Sequence, residues 1–160
     1  MIKDSGERKQ FESGAVRDIQ KGKGRCDLLP LDVVAELLCD KVLEDISLFM
    51  ISSDAVHLEN AFFEFSRCEY EQITTAILEV SKHYEEGAEK YGEHNWEKGI
   101  PLHCYIDSAI RHYLKHKRGD DDEPHNRAFL WNILGALWTL RHWPVLNDLQ
   151  VKMGGEDENS

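Results

Sequence analysis

The stretch HNRAFLWNILGALWTLRHW, His125 to Trp143, decides how the chain folds. It is apolar nearly all round, and a helix of that kind belongs at the centre of a fold. Pro144 ends it. One stripe differs in character: His125, Ala128, Asn132, Gly135 and Thr139 share a face and are small or polar. Small residues permit close helix approach, and a buried Asn must find hydrogen-bond partners. Tight packing and a pocket both fit this stripe. His125 and Asn132, seven residues apart and both facing inward, point to a pocket.

A central helix needs helical partners. HCYIDSAIRHYLKHKRG supplies one, roughly from Pro101 to Lys117 and ending at Gly119. Its buried stripe is Ile106, Ala109, Ile110, Tyr113 and Leu114. A long helix is predicted from roughly Glu59 to Tyr91, with Phe62, Phe65, Ile73, Ile77 and Val80 along it and Gly92 closing it; a break near SRCEY would make it two. Another opens at Pro30, in PLDVVAELLCDKVLEDISLFM, with Val33, Leu37, Val42 and Ile46 among its apolar positions. No segment reads as a convincing strand. The fold class is all-α, a bundle of four to five helices. Residues 1–29 form an extended, loop-rich basic and Gly-rich arm belonging to the same domain. Residues 30–144 form the helical domain, and 145–160 a C-terminal tail with a frayed end.

The chain has 160 residues, 30 acidic and 19 basic, for a net charge of -11. That charge argues against nucleic-acid and anionic-membrane partners. It leaves room for a small anionic substrate, because a local basic pocket or a metal can reverse the field. Cys26, Cys39, Cys68 and Cys104 contain no CxxC pair, which argues against a zinc knuckle. No apolar run approaches the ~20 residues that span a bilayer, and the opening MIKDSGERKQ is polar throughout. A cytoplasmic protein is expected.

The stretch HYEEGAEKYGEHNWEKGIP, His83 to Pro101, carries candidate chemistry. On a helix, Glu85, Glu86 and Glu89 can converge on one face, and oxygen ligands at that spacing suit Mg²⁺ or Mn²⁺. The plain alternative is a solvated face with Glu86 paired to Lys90. In the loop, Trp96 offers a stacking surface or a packing staple, Asn95 a donor and an acceptor, and Lys98 a cation.

On the following helix Asp107 lies near His103 and Arg111 on one edge of the buried stripe; His112 and His116 flank the other. Asp107 and His112 are about 140° apart around the axis, so a straight helix cannot easily aim both at one ion. Either one is a ligand and the other serves elsewhere, or Asp107 is a salt-bridge partner of Arg111. The arm holds Arg17, Lys21, Lys23 and Arg25 among glycines, and KGKGR can offer N–H groups and cations to phosphate. It lacks the Walker pattern.

DSGERKQFESGAVRDIQKGKGRCDLLPLDVV, HYEEGAEKYGEHNWEKGIP and DSAIRHYLKHKRGDDDEPHNRAFLWNIL together resemble the phage dATP/dGTP diphosphohydrolase family. These are MazG-like proteins and include the MazZ proteins of phages with 2-aminoadenine DNA. The resemblance covers most of the chain; roughly Cys39 to Glu71 resembles nothing familiar. It implies an all-α nucleotide pyrophosphohydrolase, forming a dimer or tetramer, in the host cytoplasm if phage-encoded. The implied reaction splits dGTP or dATP into the monophosphate and pyrophosphate, with dGMP feeding modified-purine synthesis. The superfamily binds divalent metal through EExxE and a later ExxD. Glu85, Glu86 and Glu89 match the first. The second is missing, with Asp107 the best acidic replacement and His125 the next. Relatives that vary in the acidic helix keep GAxKYGxxNW, RH and a later His, which draws in Lys90, Asn95, Arg111, His112 and His125.

The expected mechanism places Mg²⁺ or Mn²⁺ on Glu85, Glu86, Glu89 and Asp107, with a metal-bound water attacking the α-phosphorus. Glu86 or Glu89 takes the proton, and Lys90 and His112 complete the expected catalytic set. Arg17, Lys23, Arg25, Arg111, Lys115 and Lys90 hold phosphates. Trp96 or Tyr91 stacks on the purine and Asn95 or Asn132 reads its edge. Two rivals stand beside this. An HD-type triphosphohydrolase would need adjacent His-Asp ligands, and no HD dipeptide occurs. A non-enzymatic helical phage interaction protein would explain the missing ExxD.

Overall fold

A computed structural model describes residues 3–149. Six α-helices dominate it: α1 (Leu31–Leu38), α2 (Lys41–Ser52), α3 (Ala55–Tyr70), α4 (Ile73–Tyr91), α5 (Leu102–Arg118) and α6 (His125–His142). The all-α class expected from the sequence is what the chain adopts. The count is six: the long helix does divide near SRCEY, the alternative that gave five, and the stretch after Pro30 divides as well. The stretch after Pro30 breaks where Cys39 takes a left-handed conformation, φ 50°, and Asp40 caps α2 by accepting a hydrogen bond from the Leu43 amide at 3.0 Å. The long helix breaks at Glu71, φ 62°, one residue beyond SRCEY. A side chain in that region of backbone space is uncommon, and neither turn carries a glycine to announce it.

The arm is also more ordered than a loop. Two three-residue strands, β1 (Arg8–Gln10) and β2 (Val16–Asp18), pair antiparallel with Lys9 opposite Arg17. Three residues are too few to show a period of two, so the hairpin has no sequence signature. It is stabilised from outside. Asn95 bonds the backbone of Val16 twice, and the Ser13 hydroxyl donates to the Gly99 carbonyl.

α6 is central, as its composition predicts. It packs on α5 most extensively and also meets α3 and α4, while α2 bridges α1 and α3. Phe129, Leu130 and Ile133 of α6 and Tyr105, Ile106 and Ile110 of α5 are fully buried. Each such side chain contributes about 1.5–3 kcal/mol by leaving water. All five residues of the distinctive α6 stripe are buried. Gly135 explains how closely the helices approach: a Cβ there would lie 2.3 Å from Cε1 of Tyr105. By contrast Val33, Leu37 and Ile77 are exposed.

Among the described residues no helix is long and apolar enough to cross a membrane. The expected frayed end, 150–160, lies outside the described residues.

Candidate functional site

A cavity of about 440 Å³ opens between the hairpin and the bundle, within the range of ligand-binding clefts. β2 and the chain after it contribute Arg17, Asp18, Gln20 and Lys23; α4 contributes His83, Gly87 and Tyr91. α5 contributes Ser108, Arg111, His112 and Lys115, and α6 contributes Trp131 and Asn132. Helical spacing accounts for the α4 wall. His83, Gly87 and Tyr91 follow one another by four residues on one face, and the glycine leaves room in the middle.

Arg17 is held in the cavity wall by side chains of α5 and α6. Its Nη2 donates to Ser108 Oγ and to Asn132 Oδ1, both at 3.1 Å. Its guanidinium stands over the rings of Tyr105 and Trp131, at 5.3 and 5.6 Å from their centroids. Nη1 is buried with no hydrogen-bond partner. Gln20 also donates to Ser108 Oγ, at 3.1 Å. Asn132 is itself oriented, because its Nδ2 donates to the Ala128 carbonyl at 2.8 Å. Lys115 lines the same cavity and makes no ion pair among the described residues. Lys23 pairs with Asp18 at 2.8 Å on the rim. Among the described residues the cavity wall therefore holds an arginine Nη1 without a hydrogen-bond partner and a lysine without an ion pair, in a chain of strong negative charge.

The predicted acidic face lies elsewhere. Glu85 and Glu89 are exposed, and neither lines the cavity. Glu86 accepts from Arg127 of α6 at 3.0 Å. Lys90 stands 3.8 Å from Asp4. Asp107 is fully buried and committed to a clamp: it accepts from both Nη atoms of Arg111, at 2.8–3.1 Å, and from the Cys26 amide at 2.6 Å. Arg111 Nη1 donates onward to the Gly24 carbonyl at 2.8 Å. This pair ties the end of the arm to α5. Burial pushes the Asp107 carboxyl up, against the pull of Arg111.

The loop after α4 serves the arm as well. Asn95 lines the cavity, but both its amide atoms are spent on Val16. Trp96 packs edge-on against Trp138, at 5.0 Å, and against Tyr84 at 5.8 Å. That is the staple geometry. Tyr91 lies on the cavity wall with Arg8 over its ring at 4.9 Å. Arg25 is bound to Asp27 at 2.7 Å and does not line the cavity.

At the far end of the cavity stand His112 and Glu123, with His125 buried behind them. Nδ1 of His112 and Nδ1 of His125 are 2.9 Å apart. Glu123 Oε1 is 3.5 Å from the first and 3.9 Å from the second. Asp122 Oδ1 is 2.7 Å from the other ring nitrogen of His125. Burial holds the His112 imidazole well below the usual histidine range, and its partner His125 pushes it further the same way. Helix geometry alone separates Asp107 from His112, and the structure does so: one is in the clamp, the other in the histidine cluster.

Sequence reasoning passed over His83, Ser108 and Gln20. His83 was legible in principle, as the first member of the 83–87–91 face. Its Nδ1 is buried without a partner, its ring is 6.0 Å from Trp131, and burial pushes it down to about 4. Ser108 and Gln20 meet only through tertiary contact, so no spacing marks them.

The family model described as dATP/dGTP diphosphohydrolase, N-terminal, matches residues 66–148, more than half of the chain. That span carries α4, the loop, α5 and α6 with their cavity walls; the hairpin and Arg17 precede it. No curated protein and no solved structure matches.

Proposed function

The chain belongs to the dATP/dGTP diphosphohydrolase family, and from that premise we propose that it splits a purine deoxynucleoside triphosphate inside the cavity beneath β2. Water attacks the α-phosphorus, and the bond from that phosphorus to the bridging oxygen breaks. The products are the deoxynucleoside monophosphate and pyrophosphate.

The observation that carries the placement is the buried, unpartnered Nη1 of Arg17 in the cavity wall. A charged N–H without a partner is costly unless a ligand supplies one. A triphosphate brings about four negative charges, and Arg17 with Lys115 meets them inside an acidic chain. Ser108, Asn132 and the rings of Tyr105 and Trp131 fix the guanidinium, so its N–H groups are oriented before substrate arrives. Trp131 and Tyr91 are the aromatic surfaces that the cavity offers a purine. His83 stays neutral here and can orient a water through its free Nδ1.

An oxygen-ligated Mg²⁺ on Glu85, Glu86, Glu89 and Asp107 does not fit this arrangement. No three of these carboxylates come together as a ligand group among the described residues, and Asp107 is saturated by Arg111 and Cys26. The preference for dGTP, the use of dGMP in 2-aminoadenine DNA and a homo-oligomeric state belong to the same proposal and are supported by the resemblance alone.

Product analysis tests the reaction. Purified chain incubated with dGTP or dATP and Mn²⁺ or Mg²⁺ is expected to yield monophosphate and pyrophosphate, resolved by ³¹P NMR. Nucleoside plus inorganic triphosphate would indicate the HD-type reaction. No turnover with any of these pairs would leave a binding role.

A further inference from the structure

We propose that His112, Glu123 and His125 form a three-ligand site for a divalent first-row transition ion, probed here as Mn²⁺ or Co²⁺, in place of an all-carboxylate Mg²⁺ site on α4. The proposal rests on the reading of the cavity as catalytic only in setting this ion beside the triphosphate; the site itself stands on its own geometry.

Three ligand atoms, His112 Nδ1, His125 Nδ1 and Glu123 Oε1, lie within 4.8 Å of one another. Their separations are 2.9, 3.5 and 3.9 Å. Neighbouring ligands around an ion with bonds of ~2.1 Å are separated by roughly 3.0–3.5 Å, octahedral to tetrahedral, so the triangle needs only small adjustments to close on one ion. Two imidazole nitrogens also repel at 2.9 Å unless a proton or a cation lies between them. Without an ion, the N–H of one neutral ring fills that role as a hydrogen bond; a cation displaces that proton.

The surroundings select the face that His125 presents. Asp122 takes the Nε2–H, at 2.7 Å, which leaves Nδ1 with its lone pair toward His112 and Glu123. A carboxylate on the far nitrogen of a ligating histidine fixes its tautomer and raises its basicity. Lys3 holds Asp122 in turn, at 2.7 Å. His125 opens α6 directly after Pro124, and Glu123 precedes that proline, so the two are fixed by one turn of chain. His112 arrives from α5. Two nitrogens and one oxygen are a borderline-soft set, which favours transition ions over Mg²⁺. The open side faces the cavity through His112 and Glu123, where water or a phosphate oxygen can complete the shell.

The test is direct metal binding to the stripped chain in the absence of nucleotide. Mn²⁺ is titrated and the free-ion EPR signal read; Co²⁺ is titrated and its visible absorption read. One ion per chain is expected, with Mg²⁺ at least 10-fold weaker. His125→Gln and Glu123→Gln, confirmed folded by circular dichroism, should weaken Mn²⁺ at least 100-fold. Asp122→Asn, which touches no ligand atom of the ion, should weaken it about 10- to 100-fold. Glu85→Gln with Glu89→Gln should leave it unchanged. No binding of Mn²⁺ or Co²⁺ by the wild-type chain overturns the proposal. So does wild-type affinity in both His125→Gln and Glu123→Gln, Mg²⁺ affinity equal to Mn²⁺, or loss of binding in the α4 double variant. Because no substrate is present, a chain that binds the ion but fails to produce pyrophosphate refutes the proposed reaction and leaves this site standing.

Discussion

Asn95 spends its whole side-chain amide on Val16: Oδ1 accepts from the Val16 amide at 2.9 Å and Nδ2 donates to the Val16 carbonyl at 2.8 Å. The buried amide extends the hairpin by one more bonded unit and carries β2 onto the bundle. Arg17, the next residue, is thereby delivered over the cavity. Asn95→Asp keeps the shape and loses the donor, setting a carboxylate against a carbonyl. We expect a loss of about 1–3 kcal/mol in urea unfolding and faster trypsin cleavage within residues 17–25. Unchanged proteolysis would separate Asn95 from arm docking.

The Asp107–Arg111 pair makes a sharper prediction. Replacing Asp107 with Asn leaves a buried guanidinium without its anion and turns one acceptor oxygen into an NH2 donor, while the remaining oxygen can still accept from the Cys26 amide. A broken buried pair of this kind costs about 3–5 kcal/mol. The thermal midpoint should drop accordingly, while Mn²⁺ stoichiometry stays at the wild-type value. Loss of the ion from a chain of normal stability would instead make Asp107 a ligand.

Gly135 tests the α5–α6 contact. Gly135→Ala drives a methyl into the ring of Tyr105, and overpacking costs about 1–3 kcal/mol. Arg17 stands over that same ring, so KM for substrate should rise together with the loss of stability. A stable variant with normal KM would show that the helices can separate without moving the guanidinium.

His83 links stability to pH. It faces Arg127 of α6, His112 of α5 and Glu86 and Lys90 of its own helix; burial, then Arg127, lower it from 6.5 to about 4. The unfolded chain binds this proton first, so stability is complete above pH 6.5 and falls as pH drops toward 4. The full effect is about 3 kcal/mol. Urea unfolding at several pH values should show a shallower slope in this window for His83→Gln than for the wild type. Identical slopes would contradict a neutral buried His83.

The bundle was legible because its signals are local. The apolar run of α6, the stripe of α5 and the stops at Gly92, Gly119 and Pro144 each sit inside one segment. The α6 stripe was legible in both its senses: Gly135 and Thr139 pack tightly, while Asn132 lines the cavity. The break near SRCEY was legible as an alternative; the hairpin and the break at Cys39 were not, because three-residue strands show no period and Cys39 carries a side chain in a conformation that usually selects glycine. At the site, residue types were more legible than roles. Asn95, Asp107 and Arg25 have the chemistry of ligands, but tertiary contacts engage Asn95 with Val16, Asp107 with Arg111 and Arg25 with Asp27. The cluster of His112, Glu123 and His125 spans two helices and a loop, so only the fold brings it together.

The central claim is that the cavity beneath β2, and not the acidic outer face of α4, receives the triphosphate. It is tested by kcat/KM for dGTP in Arg17→Met beside the double variant Glu85→Gln, Glu89→Gln. Loss of a charged hydrogen bond to phosphate, about 1.5–3 kcal/mol, corresponds to roughly 10- to 100-fold. The account predicts that loss in Arg17→Met and a change of less than about threefold in the double variant. Full activity in Arg17→Met with collapse of the double variant would contradict it.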